Sequence, residues 1–383
     1  MHKTATWKLY LAIASISFIQ GLQYCVSPVL GEIQTHYPQV DVSFVQMLIT
    51  GPALLAMVVS LISGGLSVKV SIKKLVIFAG FFSGVTGLLP LVADSFWLLF
   101  VCRMLYGVSL GLAMALNTAV VAQFFTGEAR VTAMGVQAAS VGAGMVVVAA
   151  LGGMLGGFGF RTTYWVNLIG FLSMVMLMLM LPEKKAEQGK QTEKIRLNAY
   201  VYQISLLGLL EFLFLISFTT NISMHLSGEL AGSSAASGTL TSIFSATQIV
   251  AGLILAPISR VTKRFTLAAA MLSFAAGCAV LVLFPGNFAM LAVGAVLCGL
   301  SQGVFVPTAM VEASNAVAPA SAAMAAACYA CAQCLGQFVS PTVLNGLAQG
   351  IFGNVTTSGV YLIAAVGMIL SAVLAVWIKW KHS

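Results

Sequence analysis

Charged residues are scarce in this sequence of 383 residues, because only 7% of it is Asp, Glu, Lys or Arg. A soluble globular domain carries about 25%, and hydrophobic residues make up 60% of this chain. A water-soluble fold is therefore excluded, and so is a disordered chain, whose composition would be polar and highly charged. The continuous apolar runs also exclude a membrane β-barrel, whose strands alternate apolar and polar residues.

Motifs for catalysis and for cofactor binding are missing as well. The sequence contains no phosphate-binding loop, dinucleotide fingerprint, metalloprotease motif or serine-nucleophile elbow, so neither an enzyme nor an ATP-driven pump is expected. No cofactor is predicted. The formal net charge of +8 does not indicate nucleic-acid binding, because that function needs basic residues concentrated on a water-facing module.

The seven cysteines all fall inside apolar runs, which predicts free thiols rather than an extracellular disulfide framework. Cys328, Cys331 and Cys334 recur at every third position, a spacing that could present thiols to a soft metal from one helix face. The residues around them are mainly alanine, so close packing between helices is the favoured interpretation. No metal site is predicted.

Long apolar runs dominate what is present. A membrane-spanning helix needs about 20 residues, and runs of this length recur between charged or Gly/Pro/Asn-rich breaks. The predicted spans are residues 7–31, 43–66, 72–92, 96–125, 131–157, 163–181, 200–226, 235–258, 265–284, 287–313, 321–349 and 357–378. The sequence therefore predicts an all-α, polytopic membrane protein with twelve transmembrane helices.

Lysine and arginine are concentrated in alternate breaks between these spans. If the N-terminus is cytoplasmic, every basic residue except Arg103 and Arg161 faces the cytoplasm. The opposite breaks hold Asp41, Asp94 and Glu229. Because cytoplasmic turns of membrane proteins are enriched in Lys and Arg, this bias predicts a multi-pass protein of the cytoplasmic (inner) membrane with both termini inside.

A polar stretch at residues 182–199 divides the chain into two sets of six spans. It predicts a cytoplasmic linker between an N-terminal six-helix bundle, residues 1–181, and a C-terminal six-helix bundle, residues 200–383. Internal repetition supports the division. A shift of 192 positions places these residues on one another: Gly107 on Gly299, Gly111 on Gly303, Gly144 on Gly336, Phe96 on Phe288, and Ser67 on Ser259.

Two six-span repeats joined by a linker resemble the major facilitator superfamily over nearly the whole chain. In the break after span two, Gly64, Lys69 and Lys73 stand at the family's glycine and basic positions, whereas Val68 and Ser71 replace its aspartate and glycine. The resemblance implies two pseudo-symmetric bundles, as in the major facilitator fold. It assigns gating to the cytoplasmic loops, at positions Gly64, Lys69, Lys73 and Arg260.

Span four carries a second motif. Arg103, Gly107 and Gly111 reproduce the Arg-x-x-x-Gly-x-x-x-Gly pattern of proton-coupled members of the family, so the chain resembles the twelve-span drug/proton antiporter branch. The Gly-Pro pair that this branch carries in span five is absent, and Gly142 and Gly144 flank an alanine there. Close helix packing is predicted at Gly107, Gly111 and their repeat partners Gly299 and Gly303.

Two ionisable residues fall inside spans, where charge is costly. One interpretation of Arg103 is that its charge lowers the proton affinity of a nearby carboxylate or holds an anionic substrate. In the other, it reaches outward or binds backbone carbonyls where spans one and four meet. Glu211, near the middle of span seven, is predicted to take up and release the coupling proton. The alternative is that it is a neutral side chain bonding across helices.

Uncharged amide side chains within the spans are too numerous to face lipid. The resemblance implies a cavity lined by spans 1, 4, 7 and 10 with help from 2, 5, 8 and 11, and the amides fall on these helices. Glu312, near the cytoplasmic end of span ten, is added to the set, although gating contacts would explain it equally well. The predicted substrate-binding residues are Gln20, Gln23, Asn117, Gln137, Asn221, Gln248, Gln302, Gln333, Gln337 and Glu312.

These features together predict a secondary active transporter that works by alternating access. It would move a small, amphipathic organic solute across the membrane as a monomer, most simply by proton-coupled export. The alternative is an uptake symporter or facilitator for a small polar metabolite. A non-transporting sensor and a lipid-translocating protein are further possibilities. The expected partners are the solute, protons and the lipid bilayer.

Overall fold

A computed structural model describes residues 6–183, 197–318 and 321–381, and these residues form helices joined by short turns. Twelve long helical segments follow one another in the order of the twelve predicted spans. Most of the predicted linker, at residues 184–196, lies outside the described residues. The division into two domains and a linker therefore stays a prediction.

The first six helical segments contain several breaks. α1 consists of Thr6–Gly21 and Leu30–His36, joined by the 3-10 turn Leu22–Val29, and α2 consists of Val42–Thr50 and Pro52–Lys69. Proline lacks the N–H that an α-helix requires, and each of these breaks contains a proline, Pro28 or Pro52. The other segments are α3 (Ile72–Leu88 with the 3-10 turn Leu89–Leu91), α4 (Phe96–Phe124), α5 (Gly127–Gly156) and α6 (the 3-10 turn Phe160–Asn167 and then Leu168–Met180).

The second six segments follow the same plan. α7 consists of Ala199–Leu215 and Ser217–His225, and α8, Ser234–Leu253, is continued by the short helix Leu255–Thr262. The remaining segments are α9 (Thr266–Leu283), α10 (Phe288–Asn315), α11 (Ala322–Phe352) and α12 (Thr357–Lys381). Short 3-10 turns at Gly228–Leu230 and Lys263–Phe265 lie between helices.

Short polar side chains start several of these helices. Asp41, Ser95, Asn198, Ser233 and Asn287 each accept a hydrogen bond from a backbone N–H in the first turn of α2, α4, α7, α8 and α10. Such N-caps satisfy a donor that has no partner within the helix. The polar breaks in the sequence are therefore the places where the helices begin.

Within the described residues, ten helices are long and apolar enough to cross a membrane by length and composition. α8 and α11 are outside this group of ten. α8 buries Ser237, Thr241 and Ser245, and α11 carries Gln333, Gln337 and many alanines. Both helices pack between the two halves of the chain. Their lower content of apolar residues is consistent with this position.

The glycine repeat noticed in the sequence corresponds to equivalent contacts. A side chain at Gly107 would collide with the backbone oxygen of Pro52, and one at Gly299 with that of Phe244. Both members of the contact are shifted by the same 192 positions. Gly111 contacts Ala56, and its repeat partner Gly303 contacts Gln248. Likewise Gly144 contacts Ser17, and Gly336 contacts Leu209. The predicted packing role of these glycines thus corresponds to helices in direct backbone contact.

The two halves meet along an approximate two-fold axis. Ser27 donates to the backbone oxygen of Thr219 at 2.6 Å, and the N–H of Gly31 donates to Ser223 Oγ at 3.1 Å. Each of these pairs is separated by 192 residues, so repeat-equivalent positions contact each other. Residues in such a relation lie at the axis.

Two seams flank this axis. In the first, between α5 and α8, Gly153 and Gly238 pack so closely that a Cβ on Gly238 would lie 2.7 Å from the Gly153 Cα. In the second, between α2 and α11, Asn345 Nδ2 donates to Gln46 Oε1 at 2.9 Å. The positions are repeat equivalents, since Gln46 corresponds to Gly238 and Gly153 to Asn345. The first seam is therefore closed by backbone contact with one hydrogen bond from Ser242 Oγ to the Val146 oxygen at 3.0 Å, and the second is closed by hydrogen bonds between side chains.

Buried apolar side chains form separate clusters in the two halves. One cluster contains buried residues between Ile204 and Ile378, and two others contain buried residues between Leu9 and Leu181. Each half thus has its own core. Hydrogen bonds between the halves are concentrated around the axis and the two seams.

The helix ends differ in charge and in packing. We call the end that carries the turns after α2 and α8 and the end of α12 the basic face, since Lys69, Lys73, Arg264 and Lys379 lie there, and the other end the acidic face. α5 and α8 touch at Gly153 and diverge toward the basic face. Among the described residues, nothing lies within 4 Å of a methyl group added at Gly135 or Gly252. The halves are closed toward the acidic face and separated toward the basic face.

Candidate functional site

A cavity of about 130 Å³ lies between the two halves. At about 30 Å³ per molecule of liquid water, this volume corresponds to about four waters, so the cavity can hold a small organic molecule. The residues that line it are Gln20, Gln23, Tyr24, Ala53, Leu110, Met114, Met145, Phe212, Gln302, Gln333, Cys334 and Gln337. Five glutamines that the sequence singled out thus border one cavity, alongside aromatic and methionine side chains.

The orientation of two of these glutamines follows from their partners. Gln20 Nε2 donates to the backbone oxygen of Ala113 at 3.2 Å, and Gln23 Nε2 donates to that of Ile49 at 3.1 Å. A backbone carbonyl can only accept, so the nitrogen of each amide must face it. The side-chain oxygens of Gln20 and Gln23 therefore remain to accept from a solute.

The C-terminal half contributes further polar atoms. Gln302 Oε1 and Gln337 Nε2 are buried and have no hydrogen-bond partner among the described residues. Gln333 Nε2 donates to the hydroxyl of Tyr329 at 2.9 Å. Because unsatisfied buried polar groups are costly, Gln302 and Gln337 are suited to bind a polar molecule. The cavity thus offers both an acceptor, Gln302 Oε1, and a donor, Gln337 Nε2, that are unpaired within the described ranges.

Glu211 lies behind the wall of the cavity and does not line it. It is 0% exposed, and neither carboxylate oxygen has a hydrogen-bond partner within the described ranges. Tyr24, from the other half, and Tyr329 lie near enough to interact with its charge if it were ionised. An ionised carboxylate without partners is strongly disfavoured in such a place, so the neutral, protonated side chain is the form that fits this structure.

Arg103 lies in α4 and is 2% exposed. Its Nε donates to the Leu48 oxygen at 2.8 Å and its Nη2 to the Gln23 oxygen at 2.6 Å. The helical donor for Leu48 would be the N–H of residue 52, which is Pro52 and has none. Nη1 also reaches the Leu22 oxygen, at 3.4 Å. Arg103 therefore supplies the donor that Pro52 denies to the Leu48 oxygen in α2, and it also bonds to two oxygens of the 3-10 turn in α1.

Of the two interpretations of Arg103, the geometry matches the second, in which it binds backbone carbonyls between spans one and four. Its remaining neighbours are Cys25 Sγ at 3.7 Å and the ring of Tyr106 at 5.1 Å. No carboxylate of the described residues forms an ion pair with it, and the carboxylate oxygens of Glu211 have no hydrogen-bond partner among those residues. The structure does not bring Arg103 and Glu211 together.

Glu312 is also apart from the cavity. Its Oε2 lies 2.7 Å from Lys379 Nζ and accepts from the Tyr200 hydroxyl at 2.9 Å. This cluster joins the ends of α7, α10 and α12 at the basic face, beside a cleft lined by Asn198 and Arg264. Glu312 therefore does not line the cavity in this structure, and the choice between substrate contact and gating contacts stays a prediction.

The other predicted amides occupy different places. Asn117 donates to Ser17 Oγ at 2.9 Å, and Gln137 donates to Thr118 Oγ1 at 3.1 Å. The backbone of Gln248 contacts Gly303. These three lie on the helices that the family pattern implied, but they do not line the cavity. Asn221 accepts from Gln46 at 2.9 Å and so belongs to the closed side.

The closed side contains residues that the sequence did not single out. Gln46 donates to Asn221 and accepts from Asn345, which also donates to Ser43 Oγ at 3.0 Å. Four polar side chains from α2, α7 and α11 thus form one network between the halves. Polar residues within apolar helices are visible in the sequence, and they indicate positions that do not face lipid. The sequence does not tell whether such a residue closes a gate or lines a cavity.

The predicted gating positions lie on the basic face. Gly64, Lys69 and Arg260 are exposed, and Lys73 Nζ donates to the backbone oxygen of Met178 at 3.0 Å. Lys74, its neighbour, lies 4.0 Å from Glu183. The turn after α2 is therefore attached to the end of α6, within its own half.

At the acidic face, Asp94 joins two turns of the N-terminal half. Its carboxylate accepts a hydrogen bond from the Tyr37 hydroxyl and lies 2.9 Å from His36 Nε2. The hydrogen bond from Tyr37, and then that from His36, lower the pKa of Asp94 from its usual range. Burial, followed by the bond to Asp94, raises the pKa of Tyr37.

The family profile of the Major Facilitator Superfamily matches residues 10–218 and 204–383. The chain belongs to the Major Facilitator Superfamily. It is therefore a multi-pass membrane transporter and not an enzyme, as the sequence indicated. The match does not identify the drug/proton antiporter branch.

Solved structures of the superfamily share its fold. A crystal structure of the nucleoside transporter NupG has a TM-score of 0.79 and 14% sequence identity, with 97% of this chain and 99% of that chain covered. A crystal structure of PepTSo, a POT family transporter, has a TM-score of 0.77 and 10% identity, with 98% of each chain covered. No curated protein matches the sequence. At these identities the likeness concerns the fold alone.

Proposed function

We propose that this protein is a proton-coupled secondary transporter that moves a small, amphipathic, hydrogen-bond-donating organic solute by alternating access. The observation that carries the proposal is the cavity between the halves, closed on one side by the seams and lined by five glutamines. In this proposal the protein is a monomer in the cytoplasmic membrane, with both termini and the basic face inside. The structure then corresponds to an inward-open state.

The polarity of the cavity supports this class of solute. The Gln20 and Gln23 nitrogens are used within the protein, and Gln302 Oε1 has no partner among the described residues, so three amide oxygens are available to a solute, beside the unpaired donor Gln337 Nε2. These oxygens favour a solute that carries N–H or O–H groups. Phe212, Met114 and Met145 provide apolar contact for the rest of the molecule.

Glu211 is the proposed proton site. It is fully buried, has no hydrogen-bond partner among the residues that the structure describes, and lies beside the cavity rather than in it. Proton and solute therefore have separate places and can be bound together, which is what symport requires. This favours uptake by symport, the alternative considered from the sequence. The second candidate, proton-coupled export, is favoured by the Arg103-x-x-x-Gly107-x-x-x-Gly111 pattern of span four.

Purified protein in sealed liposomes with an internal pH-sensitive dye tests the proposal. Primary amines, amino acids, nucleosides, sugars, organic acids and cationic drugs are added in turn under an imposed proton gradient. Symport predicts that proton and solute move in the same direction, and export by exchange predicts opposite directions. A facilitator would move solute with no proton signal, which would refute proton coupling.

Replacing Glu211 tests the proton site directly. Glu211→Gln keeps the shape and polarity of the side chain but cannot ionise, so solute exchange is expected to continue while proton movement stops. Glu229→Gln, at the acidic face, is the matched control and should leave both unchanged. Normal proton movement in Glu211→Gln would remove Glu211 from the mechanism.

A further inference from the structure

Tyr329 lies in α11 between the proposed proton site and the cavity. It is 0% exposed, and its ring packs against Gly208 of α7, where a Cβ would lie 2.5 Å from the ring and 3.4 Å from the carbon that bears the hydroxyl. The absence of a side chain at Gly208 is therefore what admits the ring. The hydroxyl end of Tyr329 is held at the surface of α7.

Gly208 and Glu211 are three positions apart on α7, and residues with this spacing share one helix face. Tyr329 packs on that face, and it interacts electrostatically with Glu211. Both carboxylate oxygens of Glu211 lack partners in the part of the chain that the structure describes. Tyr329 is thus a hydroxyl donor adjacent to a carboxyl group that has no donor when ionised.

The hydroxyl of Tyr329 has one bond already. It accepts from Gln333 Nε2 at 2.9 Å, and a phenol that accepts still has its own O–H to donate. Gln333 lines the cavity. A path of polar groups therefore extends from the cavity through Gln333 to Tyr329, whose ring packs on the α7 face that carries Glu211, and the last step, from the Tyr329 hydroxyl to the carboxyl group, is not bonded in this structure.

On the basis of the proposed function, we propose that Tyr329 is a positioning residue that couples solute binding at Gln333 to protonation of Glu211. When Glu211 loses its proton, Tyr329 donates its O–H to the carboxylate. The bond from Gln333 polarises the phenol and strengthens this donation, because linked hydrogen bonds reinforce one another. The ionised form is thereby stabilised while the cavity is empty.

A solute that accepts the hydrogen bond of Gln333 Nε2 removes this bond from the Tyr329 hydroxyl. The donation from Tyr329 to the Glu211 carboxylate is then weaker. The ionised form of Glu211 is then less stable, and the side chain binds a proton more tightly. By linkage, protonation of Glu211 must strengthen solute binding by the same factor. Coupling of this sign is the one that symport requires.

Infrared titration of the purified, full-length protein in liposomes tests the path with protons alone as the probe. The carbonyl stretch of a buried, protonated carboxyl group is followed as pH rises, and its loss in Glu211→Gln assigns it to that residue. Tyr329→Phe removes only the hydroxyl, so Glu211 should bind its proton about ten- to a hundredfold more tightly, since the ionised carboxylate loses a hydrogen bond to a charged group. Gln333→Leu should shift the titration in the same direction.

Tyr361→Phe is the matched control, because Tyr361 is 0% exposed in the same half and its hydroxyl bonds to the backbone oxygen of Phe218 at 3.4 Å. Its titration should equal that of the unaltered protein. If Glu211→Gln keeps the band, the proposed proton site itself fails. If the band is assigned to Glu211 but neither Tyr329→Phe nor Gln333→Leu shifts it, only the path through Tyr329 is refuted. Since the two variants alter different residues, one of them suffices if the other does not fold.

Discussion

Replacing Arg103 separates a structural role from an electrostatic one. Its guanidinium donates to oxygens of Leu48, Gln23 and Leu22 at 2.8, 2.6 and 3.4 Å. A buried polar group left unpaired costs about 1–3 kcal/mol. With two strong bonds and one long one lost, Arg103→Met should lower the free energy of unfolding by about 3–5 kcal/mol.

Arg103→Lys is the decisive variant. A lysine keeps the positive charge but is a compact point charge without the fork of the guanidinium, so it cannot serve the carbonyls of α1 and α2 together. If Arg103 joins these helices, Arg103→Lys should be destabilised nearly as much as Arg103→Met. If its charge instead sets proton affinity, the lysine should preserve both coupling and stability.

Thermal unfolding in detergent, followed by the intrinsic fluorescence of the protein, measures the stabilities. Proton movement in liposomes measures coupling in the same preparations. Arg130→Met is the control, because Arg130 is exposed at the basic face and surface substitutions change stability by about 0.5 kcal/mol or less. An Arg103→Lys protein that unfolds like the unaltered one would refute the reasoning.

Two further predictions concern the ends of the bundle. A Cβ on Gly153 would lie 2.6 Å from the Ser234 oxygen and 2.8 Å from the Gly238 Cα, so Gly153→Val should prevent closure of the α5–α8 seam and abolish transport. Gly252→Val, whose side chain would enter open space, should transport normally. Equal transport rates of the two variants would contradict this prediction. The depressed pKa of Asp94 means that its hydrogen bonds stabilise the fold above the unfolded pKa, about 3.9, and that this contribution is lost as pH falls through the lower, folded pKa. The melting temperatures of Asp94→Asn and of the unaltered protein should therefore converge in acid. A difference in melting temperature that does not change with pH would contradict the stabilising role of these hydrogen bonds.

The architecture could be predicted from the sequence because its signals are local. Apolar runs and the positions of Lys and Arg depend on the bilayer, so they need no knowledge of which helices touch. The offset of 192 positions also gave the correct contacts of Gly107 and Gly299, since the same backbone approach recurs in each half. Gln20, Gln302 and Gln333 were placed at the cavity because polar side chains in apolar helices need water, a ligand or a partner.

The partners of individual charges could not be predicted in this way. Arg103 bonds to Leu48 because Pro52 leaves that oxygen without a donor, a consequence of two helices meeting that spacing along one helix does not reveal. Glu312 and Lys379 are distant in sequence and are joined only when α10 and α12 end side by side. Nor does sequence distinguish Asn221, at the closed seam, from an amide that lines the cavity.

The repeat-equivalent seams have a consequence for how such a protein arose. If the chain descends from two copies of one gene, the contact of Gly153 with Gly238 and that of Asn345 with Gln46 were once a single contact, present twice in an ancestral homodimer. While the subunits were identical, any substitution altered both places at once, and the two sides had to open with equal ease. Fusion into one chain let the copies diverge, so that one side kept a bare backbone junction and the other acquired a replaceable set of amides. Directionality could then evolve at one position without disturbing its counterpart.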